Sequence, residues 1–356
     1  MQRVDENGKR RFEEVAAKLG IDDKGWSHCV GAYDFDRDGW MDLFSLNDFG
    51  ASKLYRNLEG KSFEEISAGM HIDDMYNAMN FTLMDLNHNG DLSVYISQIM
   101  KLVHRQRYRR PTEQTTVVFD PNIIQNMRII VNNCLITPLE DHSRFSDQHN
   151  IVIEPAELGW SWGITAYDYE NDSDIDLLVA NGTEPETPRF WKDSKNYIAI
   201  FKDEANVCYA QADGYLYDVS SINPIAFKGN SRCAMTMDFD GDGDQDVFLA
   251  NYDSPAQVWE NLQENDNQWI RLKLTGTKSN RNAIGARVEL RFADKNRFAQ
   301  VVSRDGFLSQ SSYELHFGLG ESKLVDEAII HWPSGVVQTV KDLAAGELHE
   351  ITESDQ

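Results

Sequence analysis

Four stretches of the chain place oxygen-bearing side chains at the first, third, fifth and ninth positions of one pattern. They are DFDRDGWMDLF (34–44), DLNHNGDLSVY (85–95), DYENDSDIDLL (168–178) and DFDGDGDQDVF (238–248). A tight loop can wrap so that positions 1, 3 and 5 converge, and glycine at position 6 eases the reversal because it tolerates positive φ. The carbonyl of position 7 then turns inward and position 9 closes the shell. The sets are Asp34, Asp36, Asp38, the Trp40 carbonyl and Asp42, then Asp85, Asn87, Asn89, the Asp91 carbonyl and Ser93. The third and fourth are Asp168, Glu170, Asp172, the Asp174 carbonyl and Asp176, and Asp238, Asp240, Asp242, the Asp244 carbonyl and Asp246.

Five or six hard oxygens per loop suit calcium, which takes 6–8, better than magnesium, which keeps its waters. None of the ligating positions offers the nitrogen or sulfur that transition metals favour. An EF-hand is excluded because position 12 is Ser45, Ile96, Val179 or Leu249 rather than glutamate. The first and fourth loops are complete. The third carries Ser173 for glycine, which predicts a strained turn and a weaker grip. The second, with two asparagines and Ser93, is expected to stay empty at ordinary calcium levels, so two to four Ca2+ per chain are expected. Sixteen acidic residues fall inside the four nine-residue spans, two thirds of the net charge of −24. Like charges this crowded destabilise a fold unless a cation sits among them.

Short apolar runs bounded by turn residues flank each loop and read as strands. Upstream lie 25–33, 77–84, 159–167 and 230–237; downstream lie 41–47, 91–97, 175–182 and 245–252. A third strand is expected at LYRN (54–57), IIVNN (129–133), FWKD (190–193) and VWEN (258–261), which requires an insertion of about 98–128 in the second repeat. FEEVAAKLGI (12–21), FEEISAGMHI (63–72) and LYDVSSINPI (216–225) are expected to be strands running into a turn. The expected fold class is all-β, with repeats over 1–265. A small antiparallel sandwich or barrel is expected over 266–356, where alternating strands are separated by Gly, Pro and Asn.

The chain has 356 residues, with 58 acidic against 34 basic. That balance repels phosphate backbones, so no nucleic-acid partner is expected. No apolar run is long enough to span a bilayer, and the polar N-terminus lacks a secretion signal. Weak calcium sites fill where calcium is millimolar, so an extracellular, periplasmic or cell-surface setting is expected. Cys29, Cys134, Cys208 and Cys233 show no CxxC spacing and read as four buried thiols, with one pairing such as Cys208 with Cys233 as the alternative. Gly159-Trp160-Ser161-Trp162-Gly163 satisfies GxSxG formally, but it precedes a strand and a loop rather than a helix, so a structural strand is expected. His316 and His331 read as packed residues. The basic run 104–110 could dock an acidic or glycan partner, or be solvated loop.

DFDRDGWMDLF and DFDGDGDQDVFLAN, each leading to an LYRN- or VWEN-like segment, resemble the FG-GAP (VCBS) repeats that build β-propellers. AIGARVEL (283–290), VVSRDGFLSQSSYELHFGLG (301–320) and VDEAIIHWPSGVVQTV (325–340) resemble the ASPIC/UnbV domain. Together they are similar to bacterial relatives of cartilage acidic protein. The resemblance implies a calcium-stabilised β-propeller followed by a β-sandwich. It implies a non-catalytic recognition, adhesion or scaffold role, with a protein or glycan ligand on the propeller face. The alternative is a calcium-dependent enzyme or biosynthetic accessory protein, lyase- or hydrolase-like or the partner of an enediyne cluster, using the same face. Only four repeats are visible, the lower limit for a propeller. Closure within one chain, an open array, and completion by another copy as a homo-oligomer all stay open.

Overall fold

The computed structural model describes residues 2–4, 10–48, 51–68, 78–98, 101–104, 127–130, 133–139, 145–147, 152–153, 160–182, 204–303 and 306–355. Four antiparallel sheets follow one another. Blade one is Trp26–Tyr33, Asp42–Asp48, Lys53–Leu58 and Ser62–Glu65. Blade two is Ala78–Met84, Ser93–Gln98, Cys134–Pro138 and Phe145–Asp147. Blade three is Ser161–Tyr167, Asp176–Asn181, Val207–Ala212 and Tyr215–Asp218, with Val152–Ile153 added in parallel at its edge. Blade four has three strands, Ser231–Met237, Asp246–Asn251 and Gln257–Trp259.

The first two strands of each blade lie where the spacing put them, with an acidic loop as their hairpin. The third strand differs in two blades. In blade two Val94 pairs with Ile136, and in blade three Leu177 pairs with Tyr209. Those partners occupy the place of Tyr55 in blade one and Trp259 in blade four. The expected segment 129–133 is instead split, with Met127–Ile130 pairing on Lys101–His104 as a separate hairpin. FWKD (190–193) lies outside the described residues. A short aromatic-containing run was the signal, and both insertions carry decoys of that composition. FEEVAAKLGI also departs from expectation: Arg10–Phe12 is a strand, but Ala16–Leu19 forms one helical turn closed by Gly20 at φ 81°. Alanine, lysine and leucine favour that turn.

Three cores join successive blades. Phe44, Leu46, Phe81 and Ile96 fill the first seam; Met84, Tyr95, Ile164 and Tyr209 the second; Tyr167, Leu178 and Leu249 the third. Each such side chain is worth about 1.5–3 kcal/mol of burial. The close approach of blades three and four needs Gly163, where a Cβ would stand 2.8 Å from the Arg232 carbonyl. No comparable core joins blade four to blade one among the described residues, and the outward positions there stay wet. Val30 is 58% exposed on blade one and Val258 is 54% exposed on blade four. Among the described residues the blades run in one series whose two ends share no core.

The C-terminal part is a two-sheet sandwich. Leu315–Gly320, Gln268–Thr275 and Leu348–Thr352 form one sheet. Lys295–Gln300, Arg287–Phe292, Leu324–His331 and Val337–Ala344 form the other. Ile270, Leu290, Phe317, Ile330 and Trp332 are buried between them. The strand Leu348–Thr352, absent from the sequence expectation, pairs in parallel with Gln268–Thr275. Residues 306–312 of the sandwich reach the propeller's inner strands. Phe307 stacks edge-on against Trp162 at 5.2 Å and packs on Met79, and Ser309 Oγ donates to the Ala234 carbonyl at 3.4 Å.

Candidate metal centres

All four loops share one backbone scheme. Positions 4 and 6 both take positive φ: Arg37 and Gly39, His88 and Gly90, Asn171 and Ser173, Gly241 and Gly243. Glycine at position 6 was legible; the left-handed residue at position 4 was not, because three of its four occupants are ordinary side chains. The bend lets the position-6 N–H donate to the first aspartate. Gly39 N to Asp34 Oδ2 is 3.1 Å, Gly90 N to Asp85 Oδ2 3.1 Å, Ser173 N to Asp168 Oδ2 2.8 Å and Gly243 N to Asp238 Oδ2 3.2 Å. The position-7 N–H donates to the side chain at position 5 in the same way in each loop.

The position-9 aspartates do more than the spacing suggested. Asp42, Asp176 and Asp246 each accept the position-2 N–H on one oxygen, and on the other an N–H of the third strand or, for Asp246, of the residue two past its end. The latter donors are Asn57 at 2.7 Å, Gln211 at 2.8 Å and Asn261 at 2.8 Å. One carboxylate thus ties loop, second strand and third strand together. In blade two Ser93 takes that place and pairs with Thr137 Oγ1 at 2.8 Å.

Two loops gather carboxylates tightly enough for a cation. Asp34, Asp36 and Asp42 bring oxygens within 4.8 Å of one another, as do Asp238, Asp240 and Asp246. Asp34 Oδ1 is buried with no partner. An all-oxygen donor set with an orphaned carboxylate oxygen fits a hard divalent ion. Among the described residues the second and third loops form no such trio. In the third, Asp168 is 2% exposed, Glu170 Oε2 is buried without a partner, and Asp174 turns away to His88 Nε2 at 3.1 Å. In the second, Asp91 is held by Arg37 at 2.6 Å and by Asn89 Nδ2 at 2.9 Å.

Burial sets the electrostatics. It pushes the Asp42 carboxyl up to about 7 and Asp85 to about 6, and raises Asp168 and Asp176 well above the usual carboxylate range. Burial also raises Asp34, against the pull of Arg287.

The sandwich supplies cations that the sequence did not announce. Arg287 Nη1 lies 3.3 Å from Asp34 Oδ2, and Arg271 Nη1 lies 2.8 Å from Asp238 Oδ2. Arg297, 8% exposed, donates its Nε to the Ser173 carbonyl at 2.6 Å and reaches Asp174 at 3.5 Å. The first, third and fourth loops each meet one arginine from the C-terminal unit. Their alternation within strands gave no hint of a carboxylate partner so far away in sequence.

Ser161 is a buried strand residue whose Oγ donates to Asn181 Oδ1 at 2.8 Å. Ser27 with Asn47 and Ser231 with Asn251 repeat the pair at 2.8 Å, so the serine is a blade latch rather than a nucleophile elbow. The recurring asparagine was a readable signal. His316 is packed, its Nε2 2.7 Å from Asn171 Oδ1, and no disulfide joins the four cysteines. In the basic run, residues 105–110 lie outside the described residues.

An arc of blades with oxygen-lined loops, met by a β-sandwich, defines a β-propeller protein with a C-terminal accessory domain. Residues 34–96 match the model of the FG-GAP-like repeat, and residues 276–356 that of ASPIC and UnbV. The two matches support reading the chain as FG-GAP-like repeats followed by an ASPIC/UnbV domain. It is similar to Cartilage acidic protein 1 of Xenopus tropicalis, 21% identical over 350 residues, and of Homo sapiens, 25% identical over 352. Each alignment covers 96% of this chain and 46% of the relative, so the chain spans about half the length of the curated relatives it matches. Among solved structures, a putative exo-beta-1,3-galactanase from Bifidobacterium bifidum s17 aligns at TM-score 0.32 and 10% identity, over 94% of this chain and 93% of its own. The exotype rhamnogalacturonan lyase YesX aligns at TM-score 0.34 and 12% identity, over 96% and 67%. Both likenesses are loose and bear on neither fold nor function.

Proposed function

We propose that the chain is a calcium-dependent, non-catalytic recognition or scaffold protein of extracellular type, in which bound ions fasten the propeller arc to the ASPIC/UnbV sandwich. The observation that carries this reading is the pairing of two carboxylate trios with an arginine each from the other domain. Calcium in the first and fourth loops would neutralise the trios and leave Arg287 and Arg271 as outer partners of Asp34 and Asp238. The third loop is a weaker third site, and the second stays empty. The ligand is a protein or glycan bound on the loop-bearing face. The open ends of the arc favour a second copy as a partner.

Thermal unfolding with calcium or chelator, together with native mass spectrometry, tests the reading. Two or three calcium ions per chain and a clear fall in melting temperature on chelation are expected. At 100 times the dissociation constant, each site contributes about 2.7 kcal/mol. A metal-free chain that melts identically in EDTA would overturn it.

A further inference from the structure

The propeller axis and the sandwich enclose a cavity of about 180 Å³. Its wall combines inner-strand residues of all four blades, Tyr33, Thr82, Tyr167 and Thr236, and the loop aspartates Asp85 and Asp168, with Phe298, Gln300, Gln310, Glu314 and His316 of the sandwich. At about 15 Å³ for each water-sized centre, it has room for roughly a dozen non-hydrogen atoms.

The polar wall is rich in acceptors. Gln300, 7% exposed, has a buried Oε1 with no partner. His316 Nδ1 is likewise buried and unpartnered, and neighbouring bonds fix its state. Asn171 Nδ2 donates to Asp244 Oδ1 at 2.7 Å, so Asn171 Oδ1 is the atom facing His316 Nε2 at 2.7 Å. Nε2 therefore carries the proton and Nδ1 is a bare acceptor. Burial keeps the ring neutral. Asp85 and Asp168 each already accept two N–H groups of their own loops, and Glu314 has Arg271 at 4.0 Å. Among the described residues no lysine or arginine lines the cavity. An anion would find no cation there. An organic cation would find carboxylates whose charge is already shared. A neutral molecule with many hydroxyl donors and a compact apolar face finds both acceptors and the rings of Tyr33, Tyr167 and Phe298. A second groove of about 210 Å³ shares Leu92, Phe298, Ala299 and Gln300 with the cavity and continues to Arg37, Glu289 and His331 at the loop surface. That groove supplies a way in.

We propose that the axial cavity binds one monosaccharide-sized, hydroxyl-rich ring, with Gln300 Oε1 and His316 Nδ1 accepting from its hydroxyls. This rests on the recognition reading above and names the site and ligand class for it. Saturation-transfer NMR and calorimetry on the calcium-loaded full chain, with glucose, galactose, xylose, myo-inositol and the diamine putrescine as separate probes, test it. At least one of the four polyols should bind, and Gln300→Leu should weaken it about tenfold or more, as loss of a buried acceptor does. Gln310→Ala, at the exposed rim, should weaken it with no change in melting temperature. Binding of putrescine alone, no transfer from any polyol, or equal affinity in Gln300→Leu would overturn the proposal. Calcium-dependent melting is read on the same samples, so an empty cavity with an intact calcium effect sinks this inference and leaves the recognition reading standing.

Discussion

Ser173 sits at φ 86°, where its blade counterparts are Gly39, Gly90 and Gly243. A side chain in that region costs about 1–2 kcal/mol, and its buried Oγ has no partner. Ser173→Gly should therefore raise stability by about 1 kcal/mol, read as a higher denaturant midpoint, and tighten the third loop's grip on calcium. Asp34→Ala and Asp238→Ala should each remove one ion by native mass spectrometry, whereas Asp85→Ala should remove none. Glu353 illustrates the opposite electrostatic sign. It is 3% exposed and accepts the N–H groups of Thr277, Lys278 and Ser279 and the hydroxyls of Ser279 and Ser334. Hydrogen bonding, opposed by burial, lowers its carboxyl to about 2. A depressed carboxyl stabilises fully above its unfolded value, near 4.5, and loses that contribution as pH falls toward 2. Glu353→Gln should lower the melting temperature by several degrees at pH 7 and flatten the acid limb between pH 5 and 2.

The elements were legible where composition and period agreed. Eight inner strands and four loops could be read because an aspartate pattern fixes each hairpin, and the sandwich because its strands alternate. Third strands in blades two and three could not. Cys134–Pro138 and Val207–Ala212 follow long insertions, and nothing local distinguishes them from the decoys at 129–133 and 190–193. The carboxylates of the sites were in the sequence; the arginines opposite them were not, since they arrive from another domain and only tertiary packing aligns them. Arg271 and Arg287 can therefore be tested as cross-domain links. Arg271→Ala should destabilise the chelated protein more than the calcium-loaded one, because without an ion Asp238 has lost its opposite charge. Melting with and without EDTA reads the difference.

At the scale of the molecule, the buried aspartates make calcium dependence a function of pH. A carboxyl held at about 7 in the folded state, as Asp42 is, keeps a proton that the unfolded chain gives up near 3.8. Metal-free protein thus loses stability as pH rises from about 4 through 7. Calcium replaces that proton, so the melting-temperature gap between calcium and EDTA should widen from pH 5 to pH 8. The arc's ends make a separate claim. Val258 lies on an edge strand with no fourth strand beyond it among the described residues, and Leu54 and Cys208, its equivalents, accept the N–H of Ile66 and Val219. Val15 follows Phe12 as Ile66 follows Phe63, and Phe12 is 87% exposed. Light scattering should show a self-associated chain, and Val258→Pro should reduce it to monomers without changing circular dichroism. A monomeric parent chain would refute self-association at this edge.

Phe307 packs against Met79 of blade two and Trp162 of blade three, yet it follows all four blades in the chain. During synthesis every blade leaves the ribosome before the side chain that packs between blades two and three. The nascent blades must survive with a carboxylate-rimmed face uncovered until the sandwich strands arrive. Its vulnerable period is therefore set by translation of the sandwich, and truncations within 266–356 should yield insoluble rather than merely shortened protein.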